Sequence, residues 1–376
     1  MEFLSFREIR FADPVTALRL SVSHLFYGTA MGRLVFFWIK DKNETVPLEY
    51  LQELIRGISL SRNGDKLYIS VGDIEGIIYD ARSLSPECTI QLIDQPDHED
   101  HKLTWERSYT MLHQNMNCIL SIKLHNEQIN TDNGEAKPIT IADFDTQIVD
   151  HKGQFEFDNN SVPFDFNGSK LIWMDYLSKK QRVVCMFDFQ KDEKTELMDL
   201  KNSDGLVYHM KLYENKVIYV KNTKEVMVLD TETADEKWLG KADSQILALH
   251  VYDTKVTEID KEILQREGIQ VSNVIQDLDE ENKENFDNSH PTNSNFRIVT
   301  IDSKARINLF VCQDGADTKH IFDIKKAKNF PSELLNKDFF SMGYPYLITA
   351  YYNQVAFSSD YGVCLFKIDE NVLYSE

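Results

Sequence analysis

Two clusters in this sequence bring together side chains able to hold a metal ion. Asp97-His98-Glu99-Asp100-His101 sets two imidazoles and three carboxylates within five consecutive residues. Helical zinc ligands favour i, i+4 spacing, whereas these histidines stand at i, i+3 after Pro96, and such sites draw further ligands from elsewhere in the chain. The expected state is a solvated loop. Asp277-Leu278-Asp279-Glu280-Glu281-Asn282 opens like a calcium loop, with acids at the first, third and fifth positions. Asn282 replaces the glycine of the sharp turn and Asn288 replaces the bidentate closing glutamate, so calcium loses both requirements. No metal and no cofactor is expected. Asp277, Asp279, Glu280, Glu281 and Glu284 read instead as a disordered acidic tether that can bind a partner.

Catalytic signatures are absent from the sequence. It contains no GxSxG elbow, no GxxxxGK[ST] phosphate loop, no HExxH and no GxGxxG after a strand. The chain is therefore expected not to be an enzyme. The alternative is a site whose histidines and carboxylates converge only in three dimensions.

The elements that would position these residues follow from composition and pattern. The chain has 376 residues and 41 Lys+Arg against 61 Asp+Glu, a formal net charge of −20, with 42% hydrophobic residues. That is a globular composition. Residues 253 to 295 hold eleven acids and four bases, so the remainder still carries −13. An acidic surface repels phosphate backbones and anionic lipid, and no dense basic stripe appears, so partners are expected to be proteins with basic patches. Five cysteines without a CxxC pair suggest reduced, buried thiols. No apolar run approaches the roughly 18 residues of a spanning helix, and no signal-peptide core follows Met1. An intracellular, cytoplasmic protein is expected.

Tight pairs of apolar runs recur along the chain and read as hairpins. Their second strands, marked by Leu34, Ile77, Ile139, Val183, Val226, Ile307 and Val363, are separated by 43, 62, 44, 43, 81 and 56 residues. A period of about 40 to 45 is that of a four-stranded propeller blade, with longer intervals where loops carry insertions. The excess in the third blade, an interval of 62, is assigned to a polar loop, Asn126 to Lys137, and the largest excess to residues 253 to 295. Several second strands are apolar on consecutive positions and so must be covered on both faces. The expected fold is all-β: a single seven-bladed propeller over 1 to 376 with one long acidic inserted loop. First strands are predicted at Val15 to Leu20, Ile55 to Leu60, Tyr109 to His113, Phe164 to Phe166, Val207 to Tyr213, Ile246 to Tyr252 and Tyr346 to Ala350. Phe3 to Phe11 is apolar enough to complete the last blade beside Val363 to Ile368, with docking on a partner as the alternative. Thr257 to Gly268 carries helix start and stop signals inside the insertion.

Gly28-Thr29-Ala30-Met31-Gly32-Arg33-Leu34-Val35-Phe36-Phe37-Trp38 and Ser70-Val71-Gly72-Asp73-Ile74-Glu75-Gly76-Ile77-Ile78-Tyr79-Asp80 resemble the central hairpin of WD-repeat proteins. Tyr79-Asp80, Phe187-Asp188 and Leu229-Asp230 stand where that family places its Trp-Asp dipeptide, while the Gly-His dipeptide that opens its units is missing. The resemblance implies a non-catalytic platform within a multi-protein assembly, for which a cytoskeletal or ciliary complex is one fitting host. Tyr79-Asp80-Ala81-Arg82 is also similar to the Trp-Asp-x-Arg box of ubiquitin-ligase substrate receptors, which makes Arg82 a candidate partner-binding residue.

Overall fold

The computed structural model describes residues 1–8, 13–21, 23–39, 45–51, 53–61, 64–72, 75–81, 83–91, 109–115, 118–124, 136–143, 146, 148–156, 164–178, 181–201, 206–252, 296–312, 317–342 and 346–369. Strand β1 (Glu2–Glu8) opens the chain. Four-stranded antiparallel meanders follow: β2 (Val15–Leu20), β3 (His24–Thr29), β4 (Arg33–Trp38) and β5 (Thr45–Tyr50); β6 (Ile55–Leu60), β7 (Lys66–Val71), β8 (Glu75–Asp80) and β9 (Pro86–Gln91). Next come β10 (Tyr109–Asn115), β11 (Cys118–Leu124), β12 (Ala136–Asp143) and β13 (Ile148–Glu156), then β14 (Phe164–Phe166), β15 (Lys170–Ser178), β16 (Gln181–Asp188) and β17 (Glu193–Lys201). The series continues with β18 (Val207–Tyr213), β19 (Lys216–Lys221), β20 (Glu225–Asp230) and β21 (Glu236–Lys241), and with β22 (Ile246–Tyr252), β23 (Phe296–Asp302), β24 (Arg306–Cys312) and β25 (Thr318–Asp323). The last sheet holds β26 (Ile348–Tyr351), β27 (Gln354–Ser358) and β28 (Gly362–Lys367), with β1 as its fourth strand.

Burial explains which strands the sequence reveals. Middle strands are covered on both faces, as in Leu67–Val71 of β7 and Val226–Leu229 of β20, where consecutive residues are buried. Fourth strands have only one residue in six buried in β9 and in β21, and none in β25. Polar edge strands of this kind carry no apolar run to read, and none of them is among the strands expected from sequence. The polar loop expected over Asn126 to Lys137 ends too late: Ala136 and Lys137 open β12, where Pro138 and a register shift break the apolar pattern.

Local chemistry repeats from sheet to sheet. The first strand is bulged near its start at Val15/Ala17, Ile55/Gly57, Val207/Met210 and Ile246/Ala248, which adds twist to each sheet. Where the WD-like pattern places its aspartate, the carboxylate closes the turn into the fourth strand. Oδ1 of Asp80 accepts from the Ser83 amide (2.6 Å), Asp188 from Gln190 (2.9 Å), and Asp230 from Glu232 (2.9 Å) and Thr233 (3.1 Å). Four residues on, Leu84, Asp192 and Ala234 adopt left-handed φ values of 56°, 52° and 59°.

The chain forms two compact units. One comprises Met1–Tyr50, Arg62–Asp65 and Leu239–Glu376, the other Leu51–Ser61 and Lys66–Trp238. Within the first, three sheets stack face to face. Val299, Ile301, Ile307 and Leu309 of β23 and β24 pack against Val355, Phe357 and Phe366. The opposite face of that last sheet, Ala356, Val363 and Leu365, packs against Leu20, Leu25 and Phe37. First strand β22 lies beside β26, and β26 beside β2. In the second unit β6, β10, β14 and β18 adjoin in the same succession, and Asp165 of β14 binds the Leu212 amide of β18 (2.7 Å). Antiparallel sheets stacked with their first strands side by side make the fold all-β and propeller-like.

The N-terminal strand completes the C-terminal sheet. β1 runs antiparallel to β28 with Phe3 opposite Phe366 and Glu8 opposite Gly362, as expected for Phe3 onward, while residues 9 to 11 of the expected strand lie outside the described residues. Gly362 permits the approach, since a Cβ there would stand 2.0 Å from the Arg7 carbonyl oxygen. Phe3 is buried, its ring 5.5 Å from that of Phe366 and 5.4 Å from that of Phe330. Phe3→Ala should cost about 3 to 5 kcal/mol, measured by urea denaturation, whereas an unfastened β1 would leave the midpoint unchanged.

His24 on β3 sits 2.8 Å from Ser23 Oγ through Nδ1 and 4.8 Å from the Phe36 ring, and burial pushes its pKa down to about 4. The unfolded chain takes up this proton near pH 6.5, so the contribution of neutral His24 is complete above that pH and is lost as pH falls toward 4. Lowering the pH from 7.5 to 5 should remove roughly 2 kcal/mol through this group. His24→Phe should show a correspondingly smaller drop in urea midpoint between those two pH values.

Candidate functional site

The site is built on the sheet β22 to β25, and its geometry begins with a turn. Asp302 Oδ1 accepts from the amides of Lys304 (2.9 Å) and Arg306 (3.1 Å), and Ala305 takes a left-handed φ of 58°. This turn fixes the start of β24 and directs the Arg306 guanidinium onto the Asp243 carboxylate. Directly across the ladder from Arg306 stands Asp323, at the end of β25. Its Oδ1 accepts from the Lys325 amide (3.1 Å) and so caps the short 3-10 turn Ile324–Lys326, which buried Ile324 anchors to the core. Lys326 Nζ lies 3.8 Å from Asp323 Oδ2.

Between these two ion pairs lies an open cleft of about 500 Å³, with Ile321 and Phe322 of β25 on its wall. Ile321 is 45% exposed although its strand neighbours are more covered. Asp243, Arg306, Asp323 and Lys326 thus frame an apolar patch. Exposed ion pairs of this kind contribute only about 0 to 1 kcal/mol each to stability but fix the position of charges on a surface. Lys319, two residues before Ile321, has its pKa lowered by desolvation, with Asp243 and Asp302 opposing the shift.

The cleft walls supply carboxylates, cations and apolar surface. Elsewhere, burial pushes the Cys185 thiol up to about 11 and the fully buried Cys364 thiol higher still, so neither is a ready nucleophile. Among the described residues no group of three or more His, Cys, Asp and Glu could hold a metal ion, and no helix is long and apolar enough to cross a membrane.

Of the residues singled out in sequence, Arg82, Asp277, Asp279, Glu280, Glu281 and Glu284 lie outside the described residues, as do Asp97 to His101 and Thr257 to Gly268. Asp80 of the Tyr79-Asp80-Ala81-Arg82 box is described, and it serves the turn that follows β8. Ile321, and Trp238 on β21, which is 58% exposed, were not legible as surface residues in the sequence. The available signal was faint: two adjacent large apolar residues, Ile321-Phe322 or Trp238-Leu239, inside an otherwise polar six-residue segment.

No family model matches the chain, and no curated protein matches it in sequence. In structure it is similar to the computationally designed Ika8 protein, with a TM-score of 0.53 at 13% identity over 98% of this chain and 100% of that one. It is likewise similar to a chain in the crystal structure of the Mitotic Checkpoint Complex, with a TM-score of 0.51 at 11% identity over 97% of this chain and 94% of that one. At such identities the likeness concerns the fold alone, and it agrees with the propeller-like stacking of sheets described above.

Because Ile321 is exposed, Ile321→Asp should leave the thermal midpoint of unfolding unchanged within the equivalent of about 0.5 kcal/mol. A large loss would mean that Ile321 belongs to the core and not to a recognition surface.

Proposed function

We propose that the protein is a non-enzymatic scaffold, an assembly subunit that holds other proteins together within a larger intracellular complex. The observation that carries this reading is the exposed apolar wall of the cleft, set between fixed ion pairs at the outer strand of a rigid sheet. A large apolar residue ringed by positioned charges is the composition of a protein-binding surface.

The finer fold reading belongs with it. The seven sheets act as the blades of a closed, divergent WD-repeat-like propeller, and β1 fastens the ring. Support comes from the side-by-side first strands, the aspartate-closed turns after β8, β16 and β20, and the pairing of β1 with β28. Radial stacking leaves only short outer edges free, which suits a surface that binds without opening the core. The net charge of −20 favours partners with basic patches over nucleic acid or anionic membrane.

Purification of the tagged full chain under native conditions tests this. Stoichiometric partners that co-elute with it at a mass well above the monomer are the expected outcome. Recovery of free monomer alone, across several salt concentrations, would overturn the reading.

A further inference from the structure

We propose that the free edge of β25, with the cleft beside it, takes an extended acidic peptide segment of a partner protein as an added strand. This rests on the scaffold reading and names the chemistry of one partner at that site.

Three observations converge on it. First, among the described residues β25 is the terminal strand of its sheet, and its only ladder partner is β24. Among the described residues, none from 318 to 323 makes a backbone hydrogen bond outside that pairing. Alternate residues of such an edge turn their N–H and C=O groups outward, which is the template a new strand requires. Six residues offer an edge of about 20 Å, enough for one short segment.

Second, Ile321 supplies the apolar contact. It stands exposed beside the cleft, where alternate side chains of an added strand would meet it.

Third, the charge at this edge is opposite to that of the chain as a whole. The carboxylates that line the cleft are already engaged: Asp243 with Arg306, and Asp323 with Lys326 and the Lys325 amide. Glu2, nearby through its bridge to Lys328, accepts from Asn329 Nδ2 (2.9 Å). Lys304, Lys326 and Lys328 are exposed around the cleft, and the side chains of Lys304 and Lys328 have no carboxylate partner among the described residues. The segment IKKAK that follows β25 places three lysines within five residues of a chain whose net charge is −20. A local basic rim on an acidic protein attracts an acidic partner segment to this edge and repels it elsewhere. A polyphosphate chain meets the same rim but gains nothing from the strand edge or Ile321, and the surrounding surface repels it.

The test uses the full chain and a fluorescein-labelled synthetic peptide alternating glutamate with valine, read by anisotropy. Saturable binding that weakens with salt is expected. K304E/K326E/K328E and, separately, I321D should each weaken it by roughly tenfold or more. Methylating alternate backbone nitrogens of the peptide, with its charges intact, should abolish binding, because the strand hydrogen bonds are lost. All four substituted positions are exposed, and circular dichroism melts check that the variants remain folded. No peptide binding, equal binding by the variants, or equal binding of the methylated peptide overturns the proposal. Preferential binding of a single-stranded RNA oligonucleotide overturns it as well. Failure of the unsubstituted chain to bind the peptide, while partners still co-purify with it, would remove the β25 assignment and leave the scaffold reading standing.

Discussion

The structure depends on one requirement: strands that are apolar on consecutive positions must be shielded from water on both faces. Leu67 to Val71 cannot satisfy this in a sheet with one solvated side. Stacking one small sheet on the next does satisfy it. In the first unit the sheet β26 to β28 is sandwiched, with Phe357 and Phe366 facing one neighbour and Ala356 and Leu365 facing the other. The core is therefore a series of thin layers between sheets. Each layer depends on the presence of the next sheet, which is why the chain needs many copies of one meander.

The same requirement sorts the strands by role. Covering the middle strands leaves each fourth strand at an edge, where only one face and one side are protected. β9, β21 and β25 are accordingly polar, short and lysine- or glutamate-bearing, a composition that discourages indiscriminate edge pairing. An apolar residue retained at such a place stands out physically. Ile321 contributes little to the core and instead meets solvent beside a charged cleft. The last sheet handles its edge differently, because β1 covers β28 and buries Phe3 between Phe330 and Phe366.

Charge is handled at two levels. The net acidity is spread over the chain and selects no site by itself. Individual carboxylates do structural work at fixed points: Asp80, Asp188, Asp230 and Asp302 close turns, and Asp165 ties β14 to β18. Where cations pair carboxylates and further lysines stand exposed beside them, the charge at a given edge need not share the sign of the whole molecule. The rim formed by Lys304, Lys326 and Lys328 is such a place.

Much of the architecture was legible in the residues themselves. Leu25 to Thr29 with Leu34 to Trp38, and Val217 to Val220 with Val226 to Leu229, announced their hairpins because burial on both faces forces unbroken apolar runs. The first strands were placed to within one to two residues, and the place of Phe3 in the last sheet followed from an apolar segment that needs a cover. The outer strands were not legible, since a strand with one protected side writes a mostly polar sequence that also suits a loop. Neither was the cleft: Asp243 and Arg306 are 63 positions apart, and only the stacking of β24 on the segment after β21 brings them together. Sequence by itself determined the repeating unit, because each hairpin must exclude water locally. The tertiary structure alone decided which charges and which exposed isoleucine share one surface, because that depends on how separate sheets are set beside each other.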